Sequence, residues 1–238
     1  MERIFQGAGR VRQAAEEIRS LQRGTLAVGV MPALSVGFAQ EILARLRITH
    51  PGVAVMIHGR ETPKLVEQLV MQQIDLVYSV APMDHPEVRV EEICRVPLVC
   101  ILPPGHRLAA RKEIACRDLA GERFASFRHD SNVRRNIDQA FHDAKVQRTI
   151  VLEAPMAPSI CAFVARGLGV SVVNPLYVGA FAPALVVRPF RPRIESPIFL
   201  ATRRGRRNSK LAEAFAQASR DVAAEAQAAA GAMAFRYG

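Results

Sequence analysis

No apolar run in this 238-residue sequence comes near the roughly 18 positions a membrane-crossing helix needs. Stretches such as Val170 to Val173 and Ala180 to Val187 stop far short. The opening residues, Met1-Glu2-Arg3-Ile4-Phe5-Gln6, mix charge into a helical pattern and lack the apolar region and cleavage site of a secretory signal. These absences predict a soluble, cytoplasmic protein with no membrane partner. Cysteine is scarce: Cys94, Cys100, Cys116 and Cys161 have neither C-x-x-C spacing nor histidines at zinc-finger distances, which predicts reduced thiols. Also absent are a G-x-S-x-G elbow, H-E-x-x-H, a P-loop and G-x-G-x-x-G. The six histidines, His50, His58, His85, His106, His129 and His142, stand apart from one another, and His106 reads as a turn residue. With no paired acid and base and no activated nucleophile, the sequence predicts no catalytic residue, no metal and no cofactor.

Half of the residues are apolar, enough for one large core or two small ones, and 23% are charged with both signs present. Wholesale disorder is excluded by that balance. The net charge of +10 is uneven, because Arg203, Arg204, Arg206, Arg207 and Lys210 lie within eight residues. No aromatic residues interleave with that run to stack on bases, so it reads as a solvated loop, an inter-subunit surface or a phosphate contact.

Residues 2 to 22 carry Ile4, Val11 and Ile18, with Gly7, Ala14 and Leu21 three positions after each. This is a heptad seam too narrow for a buried helix, and it predicts a helix that packs on a partner. From Gly24 the period changes and strands alternate with helices. Strands are predicted at Thr25 to Val30, Val53 to His58 and Asp75 to Val80, with helices at Val36 to Arg47 and Pro63 to Gln73. A strand at Val96 to Leu102 leads to a second series: strand Arg123 to Phe127, helix Val133 to Ala144, strand Thr149 to Leu152, helix Ser159 to Arg166 and strand Val170 to Val173. Gly167-Leu168-Gly169 reads as a helix cap feeding that last strand. A proline-rich stretch, Pro189 to Pro197, precedes a strand at Ile198 to Thr202 and an Ala-rich helix from Asn208 to Ala230. Two such series imply two α/β lobes with mainly parallel sheets, hinged where the chain crosses between them.

Polar caps and prolines gather where strands end and helices begin: Pro32 to Ser35, Thr62-Pro63, Asp130-Ser131-Asn132, Pro158-Ser159 and Asn174-Pro175. Each of these could be an ordinary helix cap. In a parallel α/β sheet, however, such junctions collect at the carboxyl ends of the strands. Several helix N-termini there would make a site for an anion, most simply a carboxylate.

Ordered motifs then narrow the reading. Gly29-Val30-Met31-Pro32-Ala33-Leu34-Ser35, His50-Pro51-Gly52-Val53, Glu61-Thr62-Pro63-Lys64-Leu65, Gln73-Ile74-Asp75-Leu76, the Pro97 to Ala109 segment and Val164 to Pro175 resemble, in order and interval, the effector-binding domain of LysR-type transcriptional regulators. The resemblance spans about residues 24 to 202. It implies an α/β fold of the periplasmic-binding-protein-like type 2 class, two subdomains joined by two crossover strands. It divides the chain into a linker or dimerisation helix at 1–23, a first subdomain at 24–98 and 196–238, and a second at 99–195. The effector contacts it implies are Pro32, Ala33, Leu34, Ser35, Thr62, His129, Ser131, Met156, Ser159 and Asn174. Ala33 departs from the Ser or Thr that many members carry early in the first loop. The implied partners are a small anionic or amino-acid-like effector and further copies of the chain, as a dimer or tetramer. DNA would be reached only through a winged helix-turn-helix of about 60 residues, which nothing before residue 24 supplies. A solute-binding protein of a transporter, which shares the fold, is the alternative.

Overall fold

The computed structural model describes residues 25–205 and 208–235, so the heptad seam from Ile4 to Leu21 and the arginines Arg206 and Arg207 lie outside the described residues. In chain order the strands are β1 (Thr25–Val30), β2 (Ala54–Gly59), β3 (Leu76–Ser79), β4 (Val88–Pro97), β5 (Val99–Leu102), β6 (Ile114–Ala115), β7 (Arg123–Phe127), β8 (Thr149–Ala154), β9 (Ser171–Val173), β10 (Val186–Arg191) and β11 (Glu195–Arg203). The helices are α1 (Phe38–Thr49), α2 (Thr62–Val70), α3 (Asn132–Asp143), α4 (Ala157–Ala165) and α5 (Lys210–Phe235).

The first sheet has the order β2-β1-β3-β11-β4. β3 is buried at all four positions, as a central strand covered on both faces must be. Its alternate residues divide the packing between those faces. Tyr78 points to the side where Phe38 of α1 and Phe215 of α5 lie, with ring centroids 5.7 and 5.9 Å away. Val77 joins Leu65 and Leu69 of α2 in a separate cluster on the other side. Both helices reach the sheet through residues spaced for one face: Phe38, Ile42 and Leu46 in α1, Leu65 and Leu69 in α2. Tyr78 also donates to Ser219 of α5 at 3.0 Å, and Arg45 of α1 pairs with Glu225, so α5 is fixed by packing and by polar contacts.

The second lobe holds a sheet of order β6-β10-β5-β9 and the parallel pair β7-β8, linked where Phe124 bridges Val170 in parallel. Its core runs through Phe124, Phe141 and Phe190. As expected, the turn after α4 is a glycine cap: Gly167 has φ of +75° and the Leu168 N–H reaches back to the Phe163 carbonyl at 3.1 Å.

Several boundaries differ from the reading of the sequence. The single strand expected at Val96 to Leu102 is two, because β4 ends in the first sheet at Pro97 and β5 starts in the second at Val99. Pro97 has no N–H with which to extend the first ladder. Between the two strands, the Leu98 N–H donates to the Ile194 carbonyl at 2.8 Å, so the two crossing segments run side by side. The proline-rich stretch is also more ordered than a connector. It contains the end of β10 and the start of β11, with Pro197 opposite Arg95. Pro197 is tolerated because β3 pairs with β11 only from Phe199 to Ala201, leaving that flank of Pro197 without a ladder to break. Finally, the first sheet is mixed: β1, β2 and β3 are parallel, but β11 runs antiparallel to both β3 and β4.

Candidate functional site

Strand direction places the loops. β1, β2 and β3 are parallel, so the segments after Val30, Gly59 and Ser79 leave one edge of the first sheet. β7 and β8 are parallel, and the bridge from Phe124 to Val170 gives the lead into β9 the same sense. The segments after Phe127, Ala154 and Val173 therefore share an edge of the second lobe. That edge faces the first lobe. Asn174, which follows β9, donates from Nδ2 to Ser196 Oγ of β11 at 3.0 Å, and the Leu176 carbonyl lies against Gly37 at the start of α1. Carboxyl-end loops of both lobes thus confront each other beside the crossing strands.

The residues expected in the site divide by orientation. Pro32 to Ser35 form a short 3-10 turn after β1, but Ala33 and Leu34 are only 5% and 0% exposed and belong to the hydrophobic core. Their side chains are unavailable to a ligand, which corrects the expectation for these two positions. Apolar side chains in a tight turn follow the water-excluding face, whatever the loop as a whole does. Ser35 is half-buried and donates to the Pro32 carbonyl at 2.5 Å, which leaves its lone pairs open. Asn174 is buried, and both ends of its amide are engaged: Nδ2 holds Ser196 and Oδ1 accepts from the Leu176 N–H at 2.9 Å. It fastens the hinge.

Thr62 is the first residue of α2 rather than its cap, which is Glu61. Its hydroxyl points across to the end of β3, 2.7 Å from Ser79 Oγ, and Ser79 in turn accepts from the Ala81 N–H at 2.9 Å. One hydrogen bond between two hydroxyls uses one of their two protons, so the pair keeps a donor to spare. Ser159 lies in the first turn of α4, which begins at Ala157, two residues ahead of the expected start. Met156 is the cap position of that helix and 37% exposed. Ser131 occupies the cap position of α3 and His129 is exposed in the loop before it.

Three helices begin at the facing edges, and they share two features. In α2, α3 and α4 the cap residue makes no side-chain hydrogen bond to the helix, and the first turn contains no acidic residue. The first-turn N–H groups therefore donate no hydrogen bond to the cap side chain, although in α2 the cap residue, Glu61, is itself acidic. α1 differs: Gln40 caps Gly37 and Glu41 sits in its first turn.

The sequence reading missed three polar residues here. Ser79 is fully buried, and Ser126, near the carboxyl end of β7, is 1% exposed with no hydrogen-bond partner for its hydroxyl among the described residues. His58, one residue before the end of β2, has a buried Nε2 without a partner there. All three lie at, or one residue before, the carboxyl end of a parallel strand, and that position was the available signal; their local sequence has no motif. His106 does act in a turn as expected: Nδ1 accepts from the Leu108 N–H and Nε2 lies 3.2 Å from Glu122. Among the described residues no group of histidine, cysteine or carboxylate side chains could hold a metal ion, and no helix is long and apolar enough to cross a membrane.

Two α/β lobes on crossing strands, with uncapped helix ends facing across the junction, define an effector-binding domain of the periplasmic-binding-protein-like type 2 fold. Residues 19–224 match the LysR substrate binding domain, and the chain belongs to that family. It is 33% identical over 216 residues to the Transcriptional activator protein LysR of Escherichia coli (strain K12), covering 90% of this chain and 70% of that protein. It is 28% identical over 191 residues to the Regulatory protein NocR of Agrobacterium tumefaciens (strain T37), covering 80% of this chain but only 64% of that relative's length. The fold is shared with the BenM effector binding domain, solved with its effector benzoate, at a TM-score of 0.66 and 20% identity over 84% of this chain and 92% of that one. The relatives are regulators, which sets aside the transporter alternative.

Proposed function

We propose that this chain is the sensing part of a cytoplasmic transcriptional regulator that takes a small anionic effector, a carboxylate or an amino-acid-like compound, between its lobes. Closure of the lobes on that effector is relayed to a DNA-binding part outside this chain, in a homo-oligomer. The observation that carries the reading is the convergence of α2, α3 and α4, with uncapped and acid-free first turns, on the facing edges. Benzoate in BenM supports a carboxylate as the kind of ligand. The effector's acidic group sits on the start of α2 and takes the spare proton of the Thr62 and Ser79 pair. Ser131, His129 and Ser159 approach from the second lobe, while Pro32 and Ser35 border the ligand in the first. Ala33 and Leu34 support the turn from beneath.

The first test is a thermal-shift screen of benzoate, other small carboxylates and amino acids. A ligand at 100 times its dissociation constant should stabilise the fold by about 2.7 kcal/mol, a rise of roughly 5 to 10 °C for a domain of this size. No shift with any anionic compound would count against the reading. With a ligand in hand, Thr62→Val should weaken binding by about 10-fold to 150-fold, the range for one hydrogen bond to a charged group. Thr62→Ser should restore it. If Thr62→Val lowers the melting temperature while affinity stays as in the wild type, the hydroxyl serves only to brace α2 against β3.

A further inference from the structure

The two loops of the second lobe that face the cleft are not independent, and one side chain connects them. Arg134, in the first turn of α3, is only 11% exposed. Its Nη1 donates to the carbonyl of Phe127, the last residue of β7, at 2.7 Å, and to Glu153 Oε1 of β8, also at 2.7 Å. The first contact lies where the loop of Arg128, His129, Asp130 and Ser131 begins. The second lies two residues ahead of Pro155-Met156, where the chain turns into α4. The Nε of the same guanidinium donates to both carboxylate oxygens of Asp138 at 2.8 Å, one helical turn further along α3.

Asp138 is itself anchored in the core. It pairs with Arg148, whose side chain is 6% exposed and whose guanidinium lies over the rings of Phe124 and Phe141, 4.9 and 4.7 Å from their centroids. Burial and then the neighbouring charge of Arg134 push Arg148 down from its ordinary value. A chain of contacts therefore runs from the aromatic core through Arg148 and Asp138 to Arg134, and from there to the starts of both loops. A planar fork with several donors can hold a carbonyl and two carboxylates together in fixed directions; an ammonium group, being a point charge, cannot.

We propose that Arg134 is a positioning residue that ties the His129–Ser131 loop to the Met156 loop, so that the two move as one jaw when the lobes close. This rests on the effector-site reading above, because it assigns both loops to the ligand. The jaw sets affinity through its order in the free protein: loops already held in their bound relation lose less freedom on binding.

The test is backbone amide hydrogen exchange on the whole chain, without ligand. In Arg134→Gln, amides at 128–131 and at 154 and 156–157 should exchange at least ~10-fold faster together, the loss expected for a charge-assisted hydrogen bond, while β1 and β5 keep their wild-type rates. Arg134→Lys should behave like the glutamine variant, since charge alone does not make the fork. Glu153→Gln, which changes a partly exposed carboxylate and leaves Arg134 in place, is the milder variant if Arg134→Gln does not fold; it should speed exchange in the 128–131 loop as well as at 154 and 156–157. Wild-type rates in both loops, loosening of one loop alone, full rescue by lysine, or a uniform rise that includes β5 and β9 would each overturn the proposal. A ligand screen without hits removes the effector reading but leaves the exchange result standing. Unchanged exchange removes the jaw but leaves the effector reading standing.

Discussion

Raising the pH from about 8 to about 10.5 is expected to remove several kcal/mol of folding stability, and the four cysteines are the larger part of the reason, with the buried phenols of Tyr78 and Tyr177 shifted in the same direction. All four cysteines are free and buried, with Cys100 and Cys161 at 0% exposure. Burial pushes the Cys94 and Cys116 thiols from an ordinary 9.0 up to about 11 and Cys161 up to about 12, and moves Cys100 further in the same direction. A group whose folded value is raised supports the fold fully below its unfolded value. It loses that support as the pH climbs through the folded one, because the unfolded chain sheds the proton first. The window therefore opens near pH 9 and extends to about 12. Each unit is worth about 1.4 kcal/mol, so at pH 10.5 each thiol contributes a loss of up to about 2 kcal/mol, against a typical total stability of about 5 to 15 kcal/mol. Arg148 works in the opposite sense. Burial and the neighbouring Arg134 lower it in the fold, so any change at this group has the opposite sign to that of the thiols. Urea midpoints at the two pH values measure the balance. A midpoint that does not move would contradict it, as would rapid reaction of any of the four thiols with a thiol reagent in the native protein.

Gly37→Ala is expected to destabilise the protein by about 3 kcal/mol or more, from backbone strain together with a steric clash. Gly37 starts α1 with φ of +94°, a conformation that side chains rarely adopt. A Cβ built there would lie 2.2 Å from the Leu176 carbonyl oxygen, which is backbone and cannot rotate away. Relief requires the turn at Pro175–Tyr177 to retreat, and with it the contact between the lobes. For a domain of this length each kcal/mol is worth roughly 2 to 4 °C, so the melting temperature should fall by roughly 6 to 12 °C. Gly52→Ala is the control, because a Cβ at Gly52 would have nothing within 4 Å. A change at Gly37 no larger than the control's would show that the lobes do not approach each other at this point.

Most of the helices and strands could be read in advance because their causes are local. Periodicity over two turns of helix, a proline near a helix start or a glycine after its end involves residues within a few positions of each other. The junctions near Thr62, Ser131 and Ser159 were found in this way, although α2, α3 and α4 each begin one or two residues earlier than expected. Which side chains a junction presents is a different matter. Ala33 and Leu34 lie in the expected loop and turn inward, because the surrounding core takes their apolar surface. Ser79 shows no local motif, and its importance comes from facing Thr62 across the gap between β3 and α2. The break between β4 and β5 was illegible because the partner of Leu98 is the carbonyl of Ile194, supplied by the other end of the lobe.

By itself, then, the sequence determined the alternation of elements, the two-lobed class of fold and the strand ends where a ligand could lie, since each of these follows from patterning along the chain. Only the tertiary structure decided which hydroxyls remain free, that Asn174 is taken up by the hinge, and that Arg134 reaches two loops at once. Those are properties of side chains brought together from distant positions, and a hydrogen bond depends on distance and direction in space, which separation along the chain does not specify.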